Sequence, residues 1–357
     1  MRATWLEIDL GRLAANYRRL AGQLGPKTRV IGVVKANAYG HGAVPVAKRL
    51  LELGAARLAV ATAGEGAELR RAGIEAPIHL LGSLHPDEAE DALKADLVPT
   101  LATLEAARAL SALRPGATVH VKVDTGMGRV GVPPDDLADF LAEVEAMGIE
   151  VEGILTHFAV ADEDPALTRA QLARFLAAVR PLKKRYLLHA ANSAAVLAGI
   201  GTDLDFVRPG IALYGLPPDQ SLTSELSPIL RWKAKATLIK TLPPGHGVGY
   251  GLTWKARGGE TLATLPFGYA DGFPRALSNR GFVRLGKEYL PVVGRVSMDQ
   301  TTVLLKAPPP PDAVFEVVTA DFDPRTSLTG RARALGTIHY ELATALSPRL
   351  PRAYLHR

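Results

Sequence analysis

The chain of 357 residues contains no cysteine. Disulfide bonds, thiolate metal sites and cysteine nucleophiles are therefore excluded, and the composition is typical of a reducing compartment. No apolar run approaches the ~20 residues that a membrane-spanning helix needs. The first segment, "MRATWLEIDLGRLAANYRRL", also lacks the apolar core of a secretory signal. We therefore predict a cytoplasmic protein that does not bind membranes.

The chain is moderately basic, with a formal net charge of +6 at pH 7. Its lysines and arginines are scattered, and they form no block of five or six like charges of the kind that binds nucleic acid. We therefore expect no nucleic-acid partner. A weakly basic surface remains compatible with small anionic ligands.

The first two thirds of the chain alternate short apolar segments with longer amphipathic ones. In "DDLADFLAEVEAMG", Leu137, Leu141 and Val144 share one helix face, and Gly148 follows as a stop signal. Strands that alternate with helices predict a parallel sheet. The predicted strands are residues 30–34, 58–61, 78–81, 97–101, 118–123, 151–157, 186–189 and 206–208. The predicted helices are residues 44–53, 87–95, 104–113, 134–147 and 165–183.

About eight such strand–helix units predict an α/β fold, a (β/α)8 TIM barrel, with a doubly wound sheet as the alternative. The pattern changes near Leu230, where alternating segments between Gly- and Pro-rich turns predict a separate mainly-β C-terminal domain. One late helix is expected within residues 326–336. We expect the barrel to span residues 1–226 and the second domain residues 227–357, with the connection in residues 216–228. The first residues of the chain are candidates for pairing with the second domain.

Polar side chains stand where several of the predicted strands end. Lys35 follows the first apolar strand in "VIGVVKANAYGHG", although lysine is rarely fully buried unless it is paired. Active sites of barrels lie at the C-terminal ends of the strands. The other polar residues at such ends are Arg129, His157, Ser193 and Arg208. We therefore expect these side chains to converge at one mouth.

A lysine at a barrel mouth can act as a general base or can form a Schiff base with a carbonyl compound. No HExxH, HxxEH or DxDxDG pattern accompanies it, so we predict no metal site. The chain also lacks a G-x-S-x-G nucleophile motif, a P-loop and a strand-linked G-x-G-x-x-G. The residue pattern by itself leaves both uses of Lys35 open.

Nine segments resemble those of alanine racemases, in that family's order. "VIGVVKANAYGHG" is similar to the family's cofactor-lysine signature. The other segments that carry the resemblance are "VKVDTGMGRVG", "GILTHFAVAD", "HAANSAA", "FVRPGIALYG", "VGYGLTW", "PFGYADGFPR", "GRVSMDQ" and "ALSPRLPRAY". One such segment would be weak evidence, whereas nine in order across both predicted domains are highly specific.

The resemblance implies a homodimer with pyridoxal 5′-phosphate (PLP) as the cofactor, which serves as an electron sink. It implies that Lys35 binds PLP and then acts as one acid–base catalyst. Tyr250 is similar to the family's second base, which the partner subunit contributes on the opposite face of the substrate. A phenol has an unperturbed pKa near ~10, so nearby positive charge from the His157 and Arg208 network would have to lower it.

Arg208 resembles the residue that faces the ring nitrogen of PLP. A guanidinium only donates hydrogen bonds, so the resemblance implies that the ring stays neutral and that side reactions such as transamination are limited. The residues that match the family's phosphate positions are Tyr39, Ser193, Gly210, Ile211 and Tyr340. Gly210 would let the backbone approach the phosphate closely.

The resemblance places the substrate carboxylate at Arg129 and at the backbone N–H of Met298. The fork of an arginine suits a carboxylate. Lys122 matches a lysine that family members often carry carbamylated to position that arginine. The residues that match the family's substrate entrance are Asp162, Tyr269, Arg275, Arg295 and Asp299, with Tyr250 and Tyr340 narrowing it. So small an entrance favours alanine over larger amino acids.

The predicted function is therefore the interconversion of L- and D-alanine, which supplies peptidoglycan precursors. A racemase of broad specificity stays open, because a methylene or hydroxyl changes discrimination only modestly in a small pocket. A non-catalytic PLP-binding barrel protein would lack the second domain. A related decarboxylase of basic amino acids would need a cysteine. Ser297 stands where many relatives have cysteine, and we expect the activity to tolerate this difference.

Overall fold

The computed structural model describes residues 2–219 and 225–356. It contains a closed barrel of eight parallel strands and a separate mainly-β C-terminal part, which confirms the predicted fold class. The doubly wound alternative is wrong, because the first barrel strand pairs with the last. No helix in the described ranges is long and apolar enough to cross a membrane.

The chain begins with a strand outside the barrel, β1 (Thr4–Asp9). Its alternate side chains Leu6 and Ile8 are buried in the hydrophobic core. Strands of the C-terminal part flank β1 on both sides. Asp9 then caps the helix that follows, because its carboxylate accepts a hydrogen bond from Arg12 N at 3.0 Å.

The barrel strands follow one another in chain order around the closed sheet. They are β2 (Arg29–Val33), β3 (Arg57–Val60), β4 (Ile78–Ser83), β5 (Val98–Leu101), β6 (Thr118–Lys122), β7 (Glu150–Leu155), β8 (Leu187–His189) and β9 (Phe206–Val207). Both faces of such strands are covered, which explains continuous apolar runs such as "VIGVV". Because every strand is parallel, all C-terminal ends meet at one mouth.

Helices alternate with the barrel strands. They are α1 (Leu10–Ala21), α2 (Lys35–Tyr39), α3 (Ala43–Glu52), α4 (Ala63–Arg71), α5 (Ala89–Lys94), α6 (Leu104–Leu113), α7 (Leu137–Ala146), α8 (Pro165–Val179) and α9 (Ser193–Leu197). α8 ends at Val179 rather than at residue 183. Pro181 explains this difference, since it has no backbone N–H with which to continue the helical hydrogen bonds beyond Arg180.

The C-terminal part contains two sheets, a short hairpin and two helices. Its strands are β10 (Leu230–Lys235), β11 (Leu238–Thr241), β12 (Gly247–Val248), β13 (Trp254–Lys255), β14 (Thr261–Leu265), β15 (Phe282–Leu285), β16 (Glu288–Pro291), β17 (Thr301–Leu304), β18 (Val314–Val318) and β19 (Arg352–Leu355). The larger sheet has the order β16-β15-β18-β10-β1-β19, and the smaller one β11-β14-β17. β12 pairs with β13. The helices are α10 (Leu328–Leu335) and α11 (His339–Thr344).

One hydrophobic core extends through both parts, from the barrel strands to the larger sheet. α11 also packs against the barrel mouth, where Gly40 directly faces the Ala343 carbonyl. The predicted connection, residues 216–228, is described only in part, because residues 220–224 lie outside the described residues. The expected division after residue 226 therefore stays a prediction.

Candidate active site

Lys35 follows β2 after a single residue and begins α2, one turn of left-handed helix. Ala36, Asn37 and Ala38 have φ of 52, 53 and 52°, and Tyr39 also has a φ of 52°. Left-handed backbone costs an L-residue roughly 1–2 kcal/mol. Such strain persists only where surrounding contacts hold it, and it clusters at functional sites.

Two side chains hold this left-handed turn. Ala36 N donates to Glu65 Oε1 at 2.6 Å, and Ala43 N donates to Asn37 Oδ1 at 2.8 Å. The second oxygen of Glu65 accepts from Ala61 N at 2.7 Å, just beyond the end of β3. Glu65 thus ties the turn after Lys35 to the next strand–helix unit. Our sequence reasoning missed this residue, although "TAGE" is a capping-box pattern that marks it.

The Lys35 amine lies at a cavity of about 460 Å³ in the barrel mouth. Burial, followed by the charge of Arg129, lowers the pKa of Lys35, and the Glu65 carboxylate acts in the opposite direction. A lower pKa increases the fraction of neutral amine, which is the nucleophilic and basic form. The predicted site residues that also line the cavity are Tyr39, His157, Asp162, Ser193, Arg208, Gly210, Ile211 and Tyr340.

The buried Arg208 guanidinium is held by four acceptors. Nη1 donates to His189 Nδ1 at 2.7 Å. Nη2 donates to the carbonyls of Thr156 at 2.7 Å and Ala190 at 2.9 Å, and it contacts His157 Nδ1 at 3.2 Å. Burial lowers the pKa of Arg208 to about 9, so the guanidinium keeps its charge at neutral pH.

His157 differs from our expectation that it would contribute positive charge. Burial, then the charges of Arg208 and Lys122, lower the pKa of its imidazole well below the usual value. The ring is therefore neutral at neutral pH. Arg208 supplies the positive charge of this pair, and His157 accepts its hydrogen bond.

One side of the cavity offers only neutral hydrogen-bonding groups. Ser193 Oγ accepts from the backbone N–H of Gly210 at 2.8 Å and of Ala212 at 3.2 Å. The Tyr39 ring packs against Tyr214, with 5.0 Å between the ring centroids. A Cβ on Gly210 would lie 2.5 Å from the Tyr39 hydroxyl oxygen. The backbone can approach the tyrosine this closely only because residue 210 has no side chain.

Lys122 and Arg129 flank this mouth. Lys122 ends β6 as a buried residue, and burial, then the charges of Arg129 and Arg208, lower its pKa to about 8. Arg129 is exposed in the loop that follows. Asp124 shapes that loop, because its Oδ1 accepts from three successive backbone N–H groups, those of residues 126–128.

The remaining predicted site residues lie on the C-terminal part and do not line the cavity. They are Tyr250, Tyr269, Arg275, Arg295, Met298 and Asp299, all of them exposed. Tyr250 is 71% exposed. The loops of Tyr269 and Met298 are joined, since Ala270 N donates to the Met298 carbonyl at 3.1 Å. A single chain therefore brings together the site residues that line the cavity. The second group, which we call the Tyr250 surface, is exposed to solvent.

The chain matches two family profiles, the N-terminal domain of alanine racemase over residues 8–218 and the C-terminal domain over residues 229–354. It is 42% identical to the alanine racemase of Halothermothrix orenii, over 100% of this chain and 98% of that protein. The chain belongs to the alanine racemase family. Its members are isomerases, so the chain is an enzyme of that class.

Solved structures of alanine racemases share the whole fold. The protein from Clostridium difficile superimposes with a TM-score of 0.94 at 35% identity, covering 100% of this chain and 97% of that one. The protein from Bartonella henselae has covalently bound pyridoxal phosphate. It superimposes with a TM-score of 0.88 at 31% identity, covering 99% of this chain and 100% of that one.

Ser297 makes its hydrogen bonds here through its main chain. Its carbonyl accepts from Tyr269 N at 3.1 Å, and its N–H donates to the Gln300 carbonyl at 3.0 Å. Neither bond depends on the side chain at this position. Within residues 2–219 and 225–356, no group of histidines and carboxylates is arranged to hold a metal ion.

Proposed function

We propose that this protein interconverts L- and D-alanine with PLP as its cofactor, and that it supplies D-alanine for peptidoglycan precursors in the cytoplasm. The observation that carries the proposal is the Lys35 amine, which shares one cavity with the fixed Arg208 guanidinium and the Ser193–Gly210 pair. Similarity to alanine racemases over the full length supports it.

The residues of the cavity fit PLP. Lys35 supplies the primary amine that binds an aldehyde. Hydroxyl and backbone N–H groups suit a phosphate group, and the residues we assign to it are Tyr39, Ser193, Gly210, Ile211 and Tyr340. Arg208 presents only donors, which suits an unprotonated ring nitrogen. The cavity of about 460 Å³ has the size of a small-molecule site.

Bound PLP would withdraw electrons from the α-carbon of alanine and thereby acidify its proton. Inversion requires that a proton leave one face of this carbon and that another arrive on the opposite face. We assign the removal of the proton on one face to Lys35 Nζ and the delivery of a proton on the other face to Tyr250 Oη. In the reverse reaction Tyr250 removes the proton and Lys35 delivers one. Arg208 and His157 hold the hydrogen-bonding network beside these groups.

The exposure of the Tyr250 surface supports a homodimer whose subunits complete each other's sites. Tyr250, Leu252, Tyr269 and Met298 are large apolar side chains, and each is at least 42% exposed. Exposed apolar patches of this kind commonly mark protein–protein contacts. In the proposed dimer this surface covers the partner's barrel mouth, which brings Tyr250 opposite Lys35.

We assign the substrate carboxylate to Arg129 and to the backbone N–H of Met298, the latter from the partner subunit. The entrance residues in this proposal are Asp162, Tyr269, Arg275, Arg295 and Asp299. Lys122 would position Arg129, and its pKa of about 8 leaves part of the amine in the neutral form that carbamylation requires. A carbamate carbon signal in the ¹³C NMR spectrum of the folded protein, recorded with ¹³C-labelled bicarbonate, would detect such a modification.

The Gly210→Ala variant is expected to bind PLP roughly tenfold more weakly, because its Cβ would push the Tyr39 hydroxyl away from the phosphate. Fluorescence titration of the PLP-free protein measures this affinity. Gly64→Ala is the matched control, since a Cβ there meets no atom closer than 4.0 Å. Equal PLP affinity in both variants would contradict the assigned phosphate site.

The proposed function predicts that the PLP-loaded protein brings the circular dichroism of L-alanine to zero, and that of D-alanine to the same endpoint. L-serine and L-lysine are followed in parallel, because a racemase of broad specificity would convert them at comparable rates. A circular dichroism signal of L-alanine that stays constant, although an absorption band shows bound PLP, would rule out alanine racemisation. The protein would then be interpreted as a PLP-binding barrel protein.

A further inference from the structure

A continuous chain of polar side chains runs through the barrel interior behind Arg208. His189, which accepts from Arg208, contacts His120 Nδ1 through its own Nε2 at 2.8 Å. His120 Nε2 lies 3.0 Å from Glu152 Oε2. The Glu152 carboxylate accepts two hydrogen bonds, both at 2.6 Å, from the Arg57 guanidinium. We call these five residues the core chain.

The core chain crosses the barrel from one end to the other. Arg208 lies at the mouth, whereas Arg57 and Glu152 line a cleft of about 320 Å³ beside the N-terminal ends of the strands. His120 and His189 are completely buried between them. Barrel interiors are normally filled by branched apolar side chains, and burying polar groups is unfavourable unless they are hydrogen-bonded. The core chain satisfies that condition at each link.

Hydrogen-bond chemistry sets the direction of every link. A guanidinium only donates and an ionised carboxylate only accepts. His189 therefore accepts at Nδ1 and donates from Nε2 to His120 Nδ1, and His120 donates from Nε2 to Glu152. Burial lowers the pKa of both histidines, and the hydrogen bonds from Arg57 hold the pKa of Glu152 well below its usual range. Both rings are thus neutral and the carboxylate is ionised.

The three links from Arg208 through His189 and His120 to Glu152 point the same way and polarise one another, whereas Arg57 donates to Glu152 from the other side. The negative charge of Glu152 attracts the proton on His120 Nε2 and so raises the electron density at His120 Nδ1. His120 Nδ1 is therefore a stronger acceptor for the N–H of His189. His189 Nδ1 becomes a stronger acceptor for Arg208 in turn.

The other titratable side chains that face the core chain, among residues 2–219 and 225–356, are basic ones. His79 packs edge-on against His120, with 4.5 Å between the ring centroids, and its Nε2 lies 3.4 Å from Arg57 Nη1. His157 and Lys122 face Arg208.

We propose that Glu152 and His120 are positioning residues, which act through His189 to hold the Arg208 guanidinium fixed and fully charged. The effect on the cofactor ring rests on the proposed function, whereas the hydrogen bonds of the core chain are formed by protein side chains without any cofactor. When the Glu152 charge is removed, Arg208 is held less firmly against the ring nitrogen. Transamination, which would leave the amino group of alanine on the cofactor and release pyruvate, then competes better with racemisation.

The first test uses the protein without cofactor. NMR of ¹⁵N-labelled histidine should show His120 and His189 neutral, with the proton on Nε2 in both rings. In Glu152→Gln, which keeps the side-chain shape, the Nε2 protons of both rings should shift, although of the two rings Glu152 contacts only that of His120. Glu150→Gln, an exposed carboxylate at the start of the same strand, is the control. A charged ring in the wild type, or a shift confined to His120, overturns the proposal.

The second test compares pyruvate formation with alanine racemisation in the PLP-loaded protein. The ratio should rise about tenfold in Glu152→Gln and in His120→Asn, which breaks the core chain elsewhere, and should not change in Glu150→Gln. An unchanged ratio in both core-chain variants overturns the proposal. If the wild-type protein fails to racemise alanine, the proposed function fails instead, and the histidine spectra still decide whether the core chain is polarised.

Discussion

The Lys35→Ala variant is expected to racemise alanine at least about a thousandfold more slowly than the wild type, because it loses both the PLP-binding amine and an acid–base group. Its fold should persist. The left-handed turn after Lys35 is held by backbone hydrogen bonds to Glu65 and Asn37, and none of these bonds uses the lysine side chain.

Circular dichroism of alanine measures the loss, and the absorption spectrum reports whether PLP is still bound covalently. Lys48→Ala, an exposed lysine on α3, is the matched control and should retain wild-type activity. Small alkylamines should restore part of the activity of Lys35→Ala if the missing group is an acid–base amine. Retention of more than a few per cent of activity without added amine would rule out the assigned role.

A heterodimer of one Lys35→Ala chain and one Tyr250→Phe chain should regain about half of the wild-type activity, although either homodimer is nearly inactive. The expectation follows from the exposure of Tyr250, which lies outside the cavity of its own chain. If each site combines Lys35 of one subunit with Tyr250 of the other, one site of this heterodimer carries both substitutions and the other carries neither.

Two affinity tags, one on each chain, allow the heterodimer to be purified before the assay. The matched control places both substitutions on one chain and pairs it with a wild-type chain. A shared site makes that heterodimer inactive, because each of its sites then contains one substitution. The reverse pattern, with activity only when both substitutions lie on one chain, would show that each site is built within a single subunit.

Local sequence patterns predicted most of the barrel. Helical and strand periodicities report which face of a segment is buried, and the alternation of the two kinds of segment implies parallel strands. The position of Lys35 directly after a buried strand then placed its amine at the mouth. These predictions depend on neighbouring residues only, so a single sequence contained the necessary information.

The left-handed turn at residues 36–39 was beyond such reasoning. "ANAY" contains no glycine, and its one residue of a type enriched in left-handed backbone, Asn37, would predict a single such residue rather than four in a row. The turn exists because Glu65 on another strand–helix unit accepts from Ala36 N. β1 illustrates the same limit, since its partners β10 and β19 are distant in the sequence.

The hydrogen bonds of the core chain likewise depend on the register between neighbouring barrel strands. His120 lies beside Gly153 of β7, which has no side chain to occupy the space of the imidazole, and this pairing follows a local irregularity in the register. By itself, the sequence determined the class of fold, the strand that precedes Lys35 and membership of the alanine racemase family. Only the tertiary structure decided how distant polar groups combine around Arg208, because hydrogen bonds across a barrel depend on strand register and closure, which neighbouring residues do not encode.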